Sequence, residues 1–359
     1  MSRYYLSQEL IFEILSYLPV ISLLRFRSVC KSWRSIISDP QFNNAVLTNS
    51  QNKQATLSLL DKDFDNLYVD TRQESVKLNV PPQCNGKVRW ICSCNGLVCL
   101  TEKYGNVIYF WNPSTKQMKR IAAPKAREAA EYVSDFGFVF DPACNDYKVL
   151  RLTVCLIYIY FLPDEGEDIS YELIADLYSS RTGCFKEIHV PENLKNIEVR
   201  LHSKCVHDLK TEVSYFEGTN ELLSFDLEKE VFKVYPYPVP DHVQRSKSNV
   251  LDFEGSAAMI FESVDGLVLS LWTLDNVCED RVCWTKKFNI GACMKIDWVF
   301  LYLGDGEFVV KSDGEKIFYD YKKKDAKKLL SPAPVGMLDS VVKYTETLVS
   351  PKDFKDLSF

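Results

Sequence analysis

Histidine and cysteine are the side chains with which this sequence could do acid–base, nucleophilic or metal chemistry near neutral pH. The histidines are only four, His189, His202, His207 and His242. None sits in a His-Glu-x-x-His pattern, and no Cys/His set has the spacing of a structural zinc site. Cys92-Ser93-Cys94 resembles a ligand pair, yet alternate residues of a strand share a face, so two small side chains in one core layer account for the spacing. His202, Cys205 and His207 would need an orienting acid and an oxyanion site to work as nucleophile and base, and neither is recognisable. Asn85-Gly86-Lys87 and Asn95-Gly96 read as turns rather than phosphate loops, and Asp135, Asp141 and Asp146 as carboxylates that close turns. The expectation is a chain without catalytic residues, metal or cofactor.

Charge offers a second kind of chemistry. Asp164, Glu165, Glu167 and Asp168 cluster in the loop Pro163–Ser170 and could steer a basic partner. Pro124–Ser134 and Pro240–Ser248 are the other two loops that stand out by length and polarity. The run at 322–328, KKKDAKK, reads as a solvated hairpin tip, and Trp90, Trp111, Trp272, Trp284 and Trp298 lie in strand-like runs as core positions.

The elements that must position these groups fall into two kinds. With 359 residues, 46% hydrophobic and 13% aromatic, the chain has material for about two domains. Its net charge is −6, with the first 48 residues net basic and the remainder acidic, which disfavours nonspecific nucleic-acid binding. No apolar run is long enough for a membrane span, and the N-terminus lacks the apolar core of a signal peptide. Twelve cysteines without framework spacing fit reduced thiols, so a cytoplasmic or nuclear location is expected.

Residues 6–38 carry helical spacing. Leu6, Leu10, Ile14 and Leu18 recur at four-residue steps beside Ile11 and Leu15, with Ser7 as N-cap and Pro19 as stop. A second short helix runs through Leu23, Leu24 and Phe26 with Ser22 as its cap. A third carries Val29, Trp33, Ile36 and Ile37 before Asp39-Pro40 ends it. Three helices in about forty residues enclose too little volume to be stable alone, so the module reads as half of an interface. Residues 40–55 read as a hinge.

From residue 56 the pattern is all β. Asp70, Asn112, Ser179, Asp226, Asp275 and Asp320 mark a weak hairpin repeat at intervals of about 40–50 residues, with one longer interval, which is the length of a four-stranded propeller blade. Six markers predict six blades, with seven as the alternative. The run 341–350 is expected to be a strand completing the sheet beside residue 57. The domain reading is helices at 3–45, a linker at 46–55, a β-propeller at 56–350 and a tail at 351–359.

The stretch from Leu6 to Ile37, with the block LLRFRSVCKSW at 23–33, resembles the F-box of plant F-box proteins, Ser7 standing where the family commonly has Pro. The pieces SCNGLVCL at 93, FWNPSTKQMKRI at 110, GFVFDPACNDYKVLRL at 137 and DGLVLSLW at 265 resemble the F-box-associated, kelch-like β-propeller domain, although no Gly-Gly pair of kelch repeats occurs. The resemblance implies a substrate receptor of an SCF-type ubiquitin ligase, itself non-catalytic. It implies docking on a Skp1-like adaptor, and through it on cullin and RING subunits, by Leu6, Leu10, Ile14, Leu15, Leu18, Pro19, Leu23, Leu24, Val29, Cys30 and Trp33. The propeller would hold an unknown protein substrate, with no nucleic acid or membrane involved. The alternatives are a propeller enzyme, such as a copper oxidase or glycosidase, with a helical appendage, and a Skp1-bound scaffold that does not lead to degradation.

Overall fold

The computed structural model describes residues 6–51, 55–60, 66–70, 74–79, 84, 88–102, 106–124, 131–160, 167–194, 205–208, 211–218, 221–238, 243–263, 268–278, 281–291, 294–329 and 340–355. Ser7 caps α1 (Gln8–Ser16) as expected, its hydroxyl oxygen accepting the Leu10 N–H at 3.3 Å. α2 (Val20–Phe26) starts directly after Pro19, so Ser22 lies inside the helix and is not its cap. Cys30 Sγ accepts the Trp33 N–H at 3.4 Å at the start of α3 (Lys31–Ile37).

A fourth helix, α4 (Pro40–Gln51), replaces the expected hinge and takes residues 46–51 out of the expected linker. Asp39-Pro40 starts a helix instead of only ending one. Asp39 Oδ1 accepts the Gln41 N–H at 2.7 Å, and a proline in the first helical position forfeits no intrahelical bond. Phe42 and Val46, one turn apart, then join Leu15, Val20, Leu23 and Ile37 in a small core.

The remainder is built of six four-stranded antiparallel sheets. The first contains β1 (Ala55–Leu60), β2 (Asn66–Asp70) and β3 (Ser75–Asn79), and the second β4 (Val88–Cys94), β5 (Leu97–Glu102), β6 (Val107–Asn112) and β7 (Gln117–Ala122). The third contains β8 (Glu131–Asp141), β9 (Asp146–Tyr160), β10 (Glu167–Ser179) and β11 (Cys184–Ile188), and the fourth β12 (Val206–Asp208), β13 (Val213–Glu217), β14 (Glu221–Asp226) and β15 (Val231–Pro236). β16 (Val243–Phe253), β17 (Ser256–Ser263), β18 (Val268–Cys278) and β19 (Arg281–Gly291) make the fifth. β20 (Trp298–Gly304), β21 (Glu307–Ser312), β22 (Glu315–Asp320) and β23 (Asp325–Lys328) make the sixth. β24 (Ser340–Tyr344) returns to the first sheet and pairs with β1, Val342 opposite Leu57; it is the expected closing strand in its first half only, residues 345–350 forming no strand.

The sheets stand as a propeller. One strand from each, in the order β24, β4, β8, β12, β16 and β20, touches the next, and β20 touches β24 again. Every sheet interface has its own apolar core because period-2 alternation sends neighbouring side chains to opposite faces. On β5, Val98 and Leu100 enter the core shared with the first sheet, whereas Leu97 and Cys99 enter the core shared with the third. That two-sided burial is why the strands read as continuous apolar runs. No seventh sheet occurs among the described residues.

The repeat has a physical basis at the hairpin between third and fourth strands. Asn112, Asp226 and Asp320 each end a third strand, and each Oδ1 accepts two backbone N–H groups of the following turn, from residues 114 and 115, 228 and 229, and 322 and 323. Four residues past the marker, Lys116, Glu230 and Lys324 take positive φ of 58°, 55° and 55°, and Gly183 holds the same place after Ser179. Asp275 departs from the pattern: it lies within β18, whose pairing with β19 continues to Cys278 and Arg281.

Candidate functional site

The outward face of the N-terminal helices is apolar and exposed among the described residues. Leu10 and Ile14 are 48% and 53% exposed, while Leu15 and Leu23 are 2% and 0% exposed. The helical period separates them: Leu10 and Ile14 lie along one line of α1, and Leu15 turns away from it toward the core. Of the residues expected on the docking face, Leu6, Leu10, Ile14, Pro19, Val29 and Cys30 are exposed, and Leu18, Leu24 and Trp33 are half-buried. Leu15 and Leu23 are instead core, so their places on that face are corrected. The structure adds Tyr17 and Ile21, both exposed. The steps Leu10, Ile14, Tyr17 and Ile21 alternate four and three, a signal that Pro19 between the two helices hides.

This face is held to the propeller by the segment after β24. Leu348 is 3% exposed and belongs to the helical core. Glu346 Oε2 accepts the Val20 N–H at 3.4 Å at the start of α2. On its other side the segment is bound to the propeller, the Asn112 amide donating to the carbonyls of Thr347 and Val349 at 2.9 and 2.7 Å. Gly96, at φ +76°, lies so close that a Cβ would stand 2.4 Å from the Thr345 carbonyl oxygen, so only glycine fits there. Residues 351–355, expected as a tail, are docked: Pro351 is buried, Phe354 packs edge-on against Phe110, and the Lys355 N–H donates to the Ser180 carbonyl at 3.0 Å.

Residues 5–44 match the F-box domain, and residues 44–346 match the F-box associated beta propeller domain. The chain belongs to the F-box-associated β-propeller family. A putative F-box protein of Arabidopsis thaliana is 28% identical over 76% of this chain and 68% of its own length. An F-box/kelch-repeat protein of the same plant is 24% identical over 98% of this chain and 97% of its own. Among solved structures, a luciferin-regenerating enzyme aligns with a TM-score of 0.41 and 13% identity, covering 72% of this chain and 80% of that one. Apo AztD from Citrobacter koseri aligns with a TM-score of 0.37 and 11% identity, covering 82% of this chain and 90% of that one.

The propeller has two unlike ends. Asn95, Pro142, His207, Asp252 and Lys343, at or just beyond the ends of β4, β8, β12, β16 and β24, surround one mouth of the central channel together with Leu47 of α4. The first strands of these five sheets therefore run toward the F-box. The sheets being antiparallel, their second and fourth strands end at the opposite end. β7, β9 and β15, which precede the three candidate loops in the chain, are such strands. The extents of the loops are corrected: residues 131–134 belong to β8, 167–170 to β10 and 243–248 to β16. The β9–β10 ladder runs on to Tyr160 opposite Glu167, because alternating Ile and Tyr at 157–160 favour strand over loop. Glu167 and Asp168 thus stand in a paired strand, and Asp164 and Glu165 lie outside the described residues. Arg151 pins the start of the first loop, donating to the Pro124 carbonyl at 2.9 Å while its other nitrogens clamp Asp176 at 2.5 and 3.1 Å.

Of the groups that could do chemistry, Cys92, Cys94, Cys205 and His207 border the channel mouth. His189 is exposed, and His202 and His242 lie outside the described residues. His207 Nδ1 shares a proton with Ser214 Oγ at 3.2 Å, and its Nε2 faces Glu212 at 3.4 Å. Burial pushes its pKa below the ordinary histidine value against the pull of Glu212 and Asp208. Burial raises the thiol of Cys94 to about 12 and that of Cys205 well above its usual value, which suits neither as a nucleophile. Among the described residues no three His, Cys, Asp or Glu converge as a metal site. Of the tryptophans, Trp90 and Trp111 are core, Trp272 and Trp284 half-buried and Trp298 exposed, which corrects its expected core position.

Proposed function

We propose that this chain is the substrate-recognition subunit of an SCF-type ubiquitin ligase. The exposed face of Leu6, Leu10, Ile14, Tyr17, Ile21 and Val29 docks a Skp1-like adaptor, and cullin and RING subunits follow through it. That face is the observation that carries the reading, because an apolar patch concentrated on one small module marks a protein interface. The chain makes and breaks no covalent bond in this reading. It works by proximity, and the docked segment at 345–355 keeps the target at a fixed distance from the F-box.

The target is a protein held at the end opposite the F-box, where β7, β9 and β15 end. Asp164, Glu165, Glu167 and Asp168 would steer a basic target there. The cytosol or nucleus is the compartment in this reading, and ten cysteines outside any disulfide among the described residues support it. The kelch-like character of the propeller rests on the naming of relatives such as the F-box/kelch-repeat protein.

The test is capture of a Skp1-like adaptor by the Leu10→Asp, Ile14→Asp double variant. Two carboxylates in a desolvated contact should weaken binding by about 3 kcal/mol or more, while the melting temperature stays that of the unaltered chain. Undiminished capture would sink the reading. Reversing the four acidic charges should leave adaptor capture intact and lower target capture.

A further inference from the structure

The mouth of the channel beneath α4 is a cavity of about 510 Å³. Its wall is drawn from the inner strands of all six sheets, and Leu47 of the F-box helix contributes from above. We propose that this cavity binds a neutral, largely apolar small molecule between the F-box and the propeller.

Size, wall and rim each bear on the ligand class. The volume lies within the roughly 300–1,000 Å³ of small-molecule sites. Trp90, Leu251, Phe300 and Val341 give an apolar wall, into which Cys92, Cys94 and Cys205 place polarisable sulfur. Burial keeps the Cys94 and Cys205 thiols protonated, so they bring no negative charge. At the rim, Lys343 is paired with Asp252 at 2.9 Å, and Glu212 faces a histidine that burial holds toward neutrality. The rim therefore carries two carboxylates against one ammonium, a balance that repels an anionic ligand. Ser93 and Asn95 also border the cavity and supply uncharged hydrogen-bonding groups for one polar end.

The experiment titrates the full chain with Nile red, a neutral apolar fluorophore, and with anilinonaphthalene sulfonate, an aromatic anion. Saturable binding of Nile red at one site is expected, with the anion about tenfold weaker or worse, equivalent to 1.4 kcal/mol. Leu47→Trp and Cys92→Phe, which fill the cavity from the helix and from the wall, should each weaken Nile red by about tenfold or more. Leu47 is only half-buried, so its variant keeps the test open if Cys92→Phe fails to fold. Absence of saturable binding, or equal binding by a folded Leu47→Trp chain, overturns the proposal. So does loss of binding in the Leu10→Asp, Ile14→Asp variant alone, which would put the probe on the exposed face of the helices. Equal affinity for the anion overturns the assigned ligand class.

Discussion

The F-box and the propeller solve the problem of apolar surface in opposite ways. The propeller closes on itself, each sheet interface filling a core and the ring returning to its start, and among the described residues its exposed large apolar side chains are the scattered Val76, Val231 and Trp298. The F-box leaves Leu6, Leu10, Ile14, Tyr17, Ile21 and Val29 uncovered on one small module. Its own core of six helical side chains is completed by Leu348 from the far end of the chain. One region is finished by itself, and the other takes a contact from the far end of the chain and still presents an exposed apolar face.

The contrast is tested hardest by Leu23→Asp. A carboxylate at a fully buried position with no partner should destabilise the helices by about 4 kcal/mol or more, read as loss of their thermal transition. Adaptor capture would fail through unfolding, unlike the Leu10→Asp, Ile14→Asp pair, which should lose capture while folded. A wild-type melting curve for Leu23→Asp would erase the distinction between core and docking face.

Leu348→Ala should cost about 2–4 kcal/mol by leaving a cavity in the helical core. The helices should melt earlier while the propeller transition stays in place, and a shift confined to the propeller would assign the segment to the wrong region.

The smallest expected effect is a pH dependence. Because burial depresses the His207 pKa in the fold, the unfolded chain binds the extra proton first as pH falls below about 6.5. Stability from this group is present above that value and is lost as pH falls toward the folded pKa. Denaturation curves of His207→Gln across that window should show a shallower loss than the unaltered chain. An equal slope would mean that His207 is not held neutral in the fold.

Much of this organisation is legible in the sequence where chemistry is local. The Ser7 cap, the two-sided apolar strands and the Asx turns at Asn112, Asp226 and Asp320 follow from residue type and spacing alone. What escapes is decided by distant neighbours. Leu15 and Leu18 belong to the same apolar run as Leu10, and only the arrangement of four helices makes Leu15 core and leaves Leu10 bare. Asp39-Pro40 is read as a stop because proline cannot continue the preceding helix, although the same pair suits the start of a new one, and the polar run after Leu47 masks the pair Phe42 and Val46 that anchors α4. The docked segment carries no periodic signal at all, since its residues answer to two different surfaces. The cavity is equally silent, being assembled from short runs on six strands that lie far apart in the sequence and from one helix residue.

Val20 and Glu346 are 326 positions apart, yet they meet beside the place that Leu348 fills. In a chain made from its N-terminus, the F-box helices emerge with a hole in their core that stays open until residue 348 has been added, by which time β24 is also present to close the ring. A product cut short before that point would carry the exposed apolar face on an incomplete module beside an open propeller. In the proposed reading, recruitment of the ligase would then be tied to completion of the propeller, and half-made chains would be poor competitors for the adaptor.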